Sequence, residues 1–238
     1  MTAPAPSAVR PSTQRDLLRR ATAEAIGSAA LATIVIGSGV MATRLSDDVG
    51  VQLVINALAT VFGLAVLITA LGPVSGAHLN PAVTLVMLAL RRSGPREAGV
   101  YVVAQIVGCL VGAVIANLMF ALPAVAVSTT ARAEPATLLA EVVATAGLVA
   151  VILLLQRHGR DALIAPAVAA HIGAAYFFTS STSFANPAIT IGRMASDTFA
   201  GIEPASVAPF IAAQLVGAAV AVAAAAALAP AARPTASA

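Results

Sequence analysis

The chain alternates between long apolar segments and short polar stretches. Six segments are long enough to cross about 30 Å of hydrocarbon, which takes about 20 apolar residues in a helix. They cover residues 22–43, 51–71, 100–121, 138–155, 162–180 and 207–229. Two semi-apolar stretches, 80–90 and 187–196, are too short to cross. The pattern predicts an all-α membrane protein with six transmembrane helices and two shorter helices.

Composition supports this class. Of the 238 residues, 59% are hydrophobic and only 10% are charged, whereas soluble domains carry about 25% charged residues. The single cysteine, Cys109, rules out an intrachain disulfide and a cysteine-based metal site. The three histidines have no metal-site spacing, so we predict neither a metal nor another cofactor.

The basic residues predict the orientation in the membrane. All 13 are arginines, and with both termini inside, ten of them fall on the cytosolic side. The three on the outer side are Arg44, Arg132 and Arg193. This positive-inside bias predicts a multi-pass protein of the cell (inner) membrane with both termini cytosolic. The charges are topology signals in short loops, so we expect the lipid bilayer as a partner and no nucleic acid.

Three landmarks recur in the same order in the two halves of the chain. They are Glu24, Asn80 and Gln105 in the first half and Glu141, Asn186 and Gln214 in the second. Each half holds three spans, so equivalent elements enter the membrane from opposite sides. This is an inverted repeat, which places a site near the midplane between the halves.

The repeat divides the chain into five parts. A disordered cytosolic tail is predicted over 1–20, and the first repeat, with its half-helix, over 21–121. An extracellular connecting loop covers 122–136, the second repeat covers 137–229, and a cytosolic tail covers 230–238.

An Asn-Pro-Ala sequence precedes each short stretch. Asn is a strong N-cap and Pro suits the first helical position, so each sequence starts a helix. Ten residues rise about 15 Å, half the hydrocarbon thickness. Two half-helices from opposite faces would therefore meet at the midplane and line a pore. The predicted midplane residues are Asn80, Pro81, Ala82, Asn186, Pro187 and Ala188.

The chemistry of this midplane favours neutral solutes. Each helix N-terminus carries roughly half a positive charge, so two of them disfavour cations. Each Asn can cap its helix with the side-chain oxygen and point its NH₂ donors into the lumen. We therefore predict a passive channel for small neutral solutes that excludes ions.

Other classes of function fit the sequence less well. A secondary active transporter is the alternative, because inverted repeats and broken helices also occur there. Coupling normally needs ionisable groups at the midplane, where this chain has asparagines and no acid. No catalytic set of residues lies at a common depth, so we predict that the protein is not an enzyme.

Residues 75–84, SGAHLNPAVT, resemble the first signature of the major intrinsic protein family, the aquaporins and aquaglyceroporins. The second Asn-Pro-Ala matches its partner, and the likeness extends from about residue 20 to 229. The resemblance implies an aquaporin-like fold with two re-entrant half-helices, assembled as a homotetramer with one pore per subunit. Gly108 and Gly112 form a GxxxG pattern whose face we expect to serve this assembly.

The resemblance also implies which residues support the re-entrant loops. Glu24 and Glu141 are similar to buried glutamates that hydrogen-bond these loops, and we group His78 with them. The alternative is that both glutamates snorkel to the interface, since each lies near the end of a span.

Family members have a second constriction on the outer side, usually lined by an arginine directly after the second Asn-Pro-Ala. That position here is Ile189, and counting without gaps places the other members of the ring at Thr60, Ala174 and Ser183. All four are small or apolar, so the resemblance implies a wide, uncharged constriction.

Two residues can restore polarity to this region. Arg193 lies one helical turn after Ile189 and faces either the lumen or Asp197 at the surface. His171 lies one turn before Ala174 and is either pore-lining or packed and hydrogen-bonded.

The segment 179–201 resembles a bacterial subgroup with an aliphatic residue in place of the arginine. Some members of that subgroup accompany arsenic-resistance genes. The resemblance implies metalloid hydroxides such as arsenite as solutes, beside water and glycerol-like polyols.

Overall fold

The computed structural model describes residues 13–228. Eight α-helices are present in this part of the chain: α1 Gln14–Leu45, α2 Val49–Ser75, α3 Pro81–Ala89, α4 Pro95–Met119, α5 Pro135–Arg157, α6 Ile164–Phe178, α7 Pro187–Arg193 and α8 Pro204–Ala227. A short 3₁₀ turn, Asp161–Leu163, leads into α6. Six of these segments are long and apolar enough to cross a membrane, and α3 and α7 are the short helices that were predicted.

The first helix begins earlier than its apolar segment. Thr13 caps α1 by accepting a hydrogen bond from the Asp16 amide. One turn later, Arg20 forms an ion pair with Glu97 at the start of α4. The predicted disorder is therefore wrong for residues 14–20, because a cap and a tertiary ion pair extend the helix beyond the membrane. The rest of that tail, 1–12, and the tail 230–238 lie outside the described residues.

The short helix α7 ends at Arg193, three residues before its predicted end at 196. The chain leaves the helix through tighter turns, in which the Met194 and Ala195 amides bond to carbonyls three residues back. The segment that follows runs to Ile202 and then enters α8.

The two halves pack in the same way. Helix α1 lies along α4 in the first half, and α5 lies along α8 in the second. A Cβ atom on Gly108 would lie 2.3 Å from the Ala25 carbonyl oxygen, and one on Gly217 would lie 2.3 Å from the Val142 carbonyl oxygen. Glycine is required at both positions because the helix backbones are in contact.

This packing corrects one expectation about assembly. A Cβ on Gly112 would lie 2.1 Å from the Ala29 carbonyl oxygen. The face formed by Gly108 and Gly112 is thus covered by α1 of the same chain and is not free for another subunit.

The membrane faces can be named by the helices that reach them. Helices α1 and α4 begin and α5 and α8 end at one face, which we call the terminal face. Arg20 pairs with Glu97 in the first half, and Arg157 donates to the Ala225 carbonyl in the second. Arg92, just before α4, donates to Gln156 near the end of α5 and so brings the two pairs to the same face. Helix α7 points from the centre towards the opposite face, and α3 points from the centre towards the terminal face.

Replacing Gly112 with Ala tests the backbone contact between α1 and α4. The added methyl group collides with main-chain atoms, and overpacking of this kind costs roughly 1–3 kcal/mol. The thermal unfolding midpoint in detergent should fall. Gly99→Ala in the same helix is the control, because no atom lies within 4 Å of its added Cβ and an exposed helical Gly→Ala change stabilises by about 0.5–1 kcal/mol. Equal midpoints for the two variants would contradict the close approach.

Candidate functional site

A cavity of about 180 Å³ lies between the two halves. Its wall extends from Gln156 and Met87, towards the terminal face, to Arg193 near the opposite face, and Asn80 and Asn186 lie on it between these ends. Much of the wall is aliphatic, with contributions from Leu31, Leu64, Leu148, Ile152, Val168 and Ile172.

The two asparagines begin the two short helices. The Asn80 side-chain oxygen accepts a hydrogen bond from the Ala82 amide, and the Asn186 oxygen accepts one from the Ala188 amide, both at 2.9 Å. Pro81 and Pro187 occupy the first helical positions. The prolines and alanines are buried behind the asparagines, and only the asparagines belong to the cavity wall.

The asparagines also link the halves to each other. The Asn80 amide nitrogen donates to the Ala185 carbonyl and the Asn186 amide nitrogen donates to the Leu79 carbonyl, each at 2.7 Å. Each NH₂ group therefore uses one N–H in the link and keeps one for the lumen. The expectation that both N–H donors of each asparagine face the lumen is therefore wrong, because one of the two bonds to the other half.

Glu24 holds the first re-entrant loop from behind. Its carboxylate is fully buried and accepts hydrogen bonds from the His78 and Leu79 amides at 3.0 and 2.7 Å. The Ser75 hydroxyl and the Gln105 amide nitrogen also donate to it, at 2.6 and 2.8 Å. The carboxylate lies inside the protein rather than at an interface.

Glu141 repeats this arrangement in the second half. The Phe184 and Ala185 amides donate to it at 2.9 and 2.8 Å, and the Gln214 side chain donates at 2.6 Å. Glu141 is also fully buried. The three landmarks of the sequence repeat thus meet as one carboxylate, one loop and one glutamine in each half.

These carboxylates hold the loops in an uncommon conformation. Leu79 and Ala185 have φ values of 49° and 45°, and Ala77 and Ser183 are also left-handed. Such a conformation costs of order 1–3 kcal/mol for each residue other than glycine. With loop amides held by the glutamates, the Leu79 and Ala185 carbonyls remain available to the asparagines.

His78 lies on the cavity wall towards the terminal face. Its Nδ1 atom is 3.1 Å from the Thr84 hydroxyl, and its ring meets the edge of Tyr101 with centroids 5.4 Å apart. Gln105 reaches the same hydroxyl at 3.0 Å, so His78 is joined to the hydrogen-bond network of Glu24.

Three of the four residues predicted at the outer constriction lie on the cavity wall: Thr60, Ser183 and Ile189. Ala174 does not, because it is exposed on the outside of α6. Tyr176 takes its place on the wall, with its hydroxyl 3.1 Å from that of Thr60.

The error came from the count. It reached Ala174, two residues before Tyr176, and two residues turn a helix by about 200°. The sequence held one signal that could have identified Tyr176: a tyrosine in an apolar span needs a hydrogen-bond partner for its hydroxyl group.

The Ser183 hydroxyl is buried on the wall and has no partner among the described residues.

Arg193 lies on the cavity wall and is only 3% exposed. Its guanidinium carbon is 3.4 Å from the centroid of the Phe184 ring, and its Nε atom donates to the Ala200 carbonyl. Asp197 instead accepts from the Thr129 amide at 3.0 Å. The pairing of Arg193 with Asp197 is therefore wrong, and a charged side chain lies on the cavity wall one turn beyond Ile189.

His171 does not belong to the wall of the cavity. Its Nε2 atom lies 3.0 Å from the Ala144 carbonyl oxygen, and its ring lies against the space left by Gly147. Of the two alternatives, the geometry matches the packed, hydrogen-bonded histidine.

The charged groups of the opposite face include Arg132, in the loop before α5. Burial lowers the pKa of this guanidinium, while Glu141 and Tyr176 act to raise it.

Among residues 13–228, no three His, Cys, Asp or Glu side chains form a group that could hold a metal ion.

Comparisons with known proteins agree with this geometry. The family model described as "Major intrinsic protein" matches residues 12–184. The chain is 47% identical over 203 residues to aquaglyceroporin AqpS of Rhizobium meliloti, covering 85% of this chain and 87% of that protein. This chain belongs to the major intrinsic protein family. The predicted resemblance is thereby confirmed.

Shorter and more distant matches point the same way. Aquaporin-5 of Sus scrofa is 52% identical over 58 residues, covering 24% of this chain and 22% of its own length. The X-ray structure of the aquaglyceroporin from Plasmodium falciparum superposes with a TM-score of 0.66 at 19% identity, covering 87% of this chain and 94% of that one. This likeness confirms the predicted fold class. The family is made up of channels, and this protein is a channel for small neutral solutes.

Replacing Glu141 with Ala tests the support of the second loop. The Phe184 and Ala185 amides would lose their acceptor, and each buried unsatisfied N–H costs about 1–3 kcal/mol. We expect a lower yield of monodisperse protein and a lower unfolding midpoint in detergent. Asp47→Ala is the control, because Asp47 is an exposed acid between α1 and α2. A Glu141→Ala protein as stable as this control would show that the carboxylate does not support the loop.

Proposed function

We propose that this channel conducts glycerol-like polyols and neutral metalloid hydroxides such as arsenite beside water, passively and with exclusion of ions. The observation that carries the proposal is the pair of asparagines on the wall of one cavity that extends towards both faces. Each offers a free N–H donor at the point where the two short helices begin. A neutral solute with hydroxyl groups can exchange its water partners for these donors.

Exclusion of cations follows from the same arrangement. Both short helices turn their N-termini to the centre, and each contributes roughly half a positive charge. No carboxylate belongs to the cavity wall within residues 13–228, so no formal negative charge on the wall offsets it. A secondary active transporter is not favoured, because coupling normally needs an ionisable group or a cation site at this depth.

The solute class is supported by the lining near the opposite face. Hydroxyl groups of Thr60, Tyr176 and Ser183 lie on the wall there, together with the aliphatic Ile189. A polyol, with oxygens along one side and carbon along the other, can contact both kinds of surface. Arsenite as a neutral trihydroxide offers a similar number of hydroxyl groups.

Stopped-flow light scattering of proteoliposomes tests the solute class. Permeabilities to water, glycerol and arsenite should all exceed those of protein-free vesicles. A counterflow assay separates the mechanisms, because a carrier shows trans-acceleration and a channel does not. Glycerol and arsenite permeabilities at the level of empty vesicles would overturn the proposed solutes.

We also propose that the terminal face is cytosolic and that the protein is a homotetramer in the cell (inner) membrane. The arginine distribution supports this orientation, and the family resemblance supports the tetramer. Exposed apolar side chains on α2, among them Leu58, Phe62 and Val66, give that helix an apolar outer surface. Light scattering with bound detergent subtracted measures the assembly, and a monomeric mass would contradict it.

Replacing Asn80 or Asn186 with Asp tests the midplane barrier. A carboxylate would offset the positive ends of the helices, so the cation leak of proteoliposomes should rise about tenfold or more, the equivalent of about 1.4 kcal/mol. Asn80→Ser is the control, because serine is also a good N-cap and stays neutral. A leak no larger in either Asp variant than in this control would show that these helix ends do not face the lumen.

Replacing Ile189 with Arg tests the constriction. The longer side chain narrows the passage, so glycerol and arsenite fluxes should fall at least about tenfold, the equivalent of about 1.4 kcal/mol. This is close to the upper end of the roughly 0.5–1.5 kcal/mol that one extra hydrogen-bond donor contributes. Water flux should persist in part, and both fluxes are read by light scattering. Ile189→Met is the control for the loss of the branched side chain. Unchanged glycerol flux in an inserted Ile189→Arg protein would show that position 189 does not limit solute size.

A further inference from the structure

The end of the channel at the opposite face carries a guanidinium that comes from an unexpected position. Ile189 lies directly after the second Asn-Pro-Ala, and Arg193 lies one turn further along α7. Both side chains are on the cavity wall, and Arg193 is almost completely buried in the protein. The charge therefore faces the channel although the residue after the motif is aliphatic.

Main-chain carbonyls hold this region together. Three successive carbonyls, from Phe199 to Gly201, accept hydrogen bonds from two arginines. The Arg193 Nε atom donates to the middle one, Ala200. Arg132 donates to the other two, with its Nε atom 2.7 Å from the Gly201 oxygen and its Nη2 atom 3.1 Å from the Phe199 oxygen.

An aromatic ring supports both guanidinium groups. The guanidinium carbons of Arg193 and Arg132 lie 3.4 and 5.3 Å from the centroid of the Phe184 ring. Phe184 in turn packs edge-on against Phe210, with ring centroids 5.2 Å apart. The ring is buried, so it fixes the plane of the guanidinium that lies closest to it.

The charge of Arg193 has no carboxylate partner among the described residues, whose ion pairs are Arg19–Asp16 and Arg20–Glu97. Within the same residues its guanidinium uses one of its five N–H donors, at Nε. The terminal nitrogens remain available on the cavity side. Arg132 contacts the same ring and the neighbouring carbonyls as Arg193, but it does not belong to the cavity wall and does not meet the solute.

We propose that Arg193 is a specificity-determining residue of this channel, which repels cations at the opposite face and donates hydrogen bonds to the oxygens of neutral solutes. Phe184 is the positioning residue that holds its guanidinium against the wall. The proposal rests on the proposed function as an ion-excluding channel and adds a second barrier to that of the midplane.

The competing explanation is that Arg193 only anchors the segment 199–201. The two roles respond differently to lysine. Arg193→Lys keeps the charge but loses the planar group that stacks on Phe184 and bonds through Nε. Arg193→Met loses both the charge and the donors. If charge decides, lysine behaves like arginine; if anchoring decides, lysine behaves like methionine.

The experiment measures uptake of guanidinium, a permanent cation smaller than glycerol, and uptake of glycerol itself into proteoliposomes. Arg193→Met, Arg193→Lys and Arg132→Met are compared in the native sequence and with Asn80→Asp, which lowers the midplane barrier. Arg132→Met is the matched control. It removes the other arginine that contacts Phe184 and the segment 199–201, and it leaves the cavity wall unchanged. Where Arg193→Met does not insert, Arg193→Gln keeps a donor and carries the same test.

We expect Arg193→Met to raise the ratio of guanidinium to glycerol uptake by about tenfold or more in the Asn80→Asp background, because a unit charge at the wall of a narrow passage acts through little water. Arg193→Lys and Arg132→Met should each stay within about twofold of their parent. The increase should shrink at high ionic strength.

Two results would overturn the proposal. One is an unchanged ratio for Arg193→Met in both backgrounds, and the other is an equal rise for Arg193→Lys and Arg193→Met. The midplane proposal is judged separately: a leak through Asn80→Asp without any further effect at Arg193 refutes only the role of Arg193. A leak through Arg193→Met but not through Asn80→Asp refutes only the midplane barrier.

Discussion

Two buried carboxylates are the interaction on which the channel depends. A chain that enters a membrane and turns back leaves main-chain N–H groups where no lipid can accept a hydrogen bond. Glu24 and Glu141 supply those acceptors from behind the loops, two amides each. Without them, left-handed residues such as Leu79 and Ala185 would have little to hold them in place. The polar lining at the centre is therefore a consequence of charges that solutes do not contact.

Most of the fold could be predicted from the sequence, because its signals are local and repeated. Span lengths follow from hydrocarbon thickness, and the capping chemistry of Asn80 and Asn186 predicts the starts of the two short helices. Boundaries outside the membrane were harder, since the start of α1 depends on a pair between Arg20 and Glu97, far apart in sequence.

Counting from the two asparagines placed most of the predicted ring on the cavity wall, including Thr60, which lies well before Asn80. Ser183 and Ile189 lie within three positions of Asn186, and both lie on the cavity wall. Ala174 lies twelve positions away, and the side chain on the wall is that of Tyr176, two residues later. Arg193 was placed on the correct helix face, but its neighbours were not foreseeable. The segment 199–201 returns to it from beyond the helix, and this return is a tertiary feature.

The crossed bonds between Asn80 and the Ala185 carbonyl, and between Asn186 and the Leu79 carbonyl, form a closed loop of contacts at the centre. A closed loop of this kind resists separation of its members, because widening one side must break bonds belonging to both halves. Single bonds join the halves towards the two mouths, between Thr60 and Tyr176 and between Arg92 and Gln156. A change in the width of the channel would therefore meet its greatest resistance at the centre, where the bonds come as a reciprocal pair.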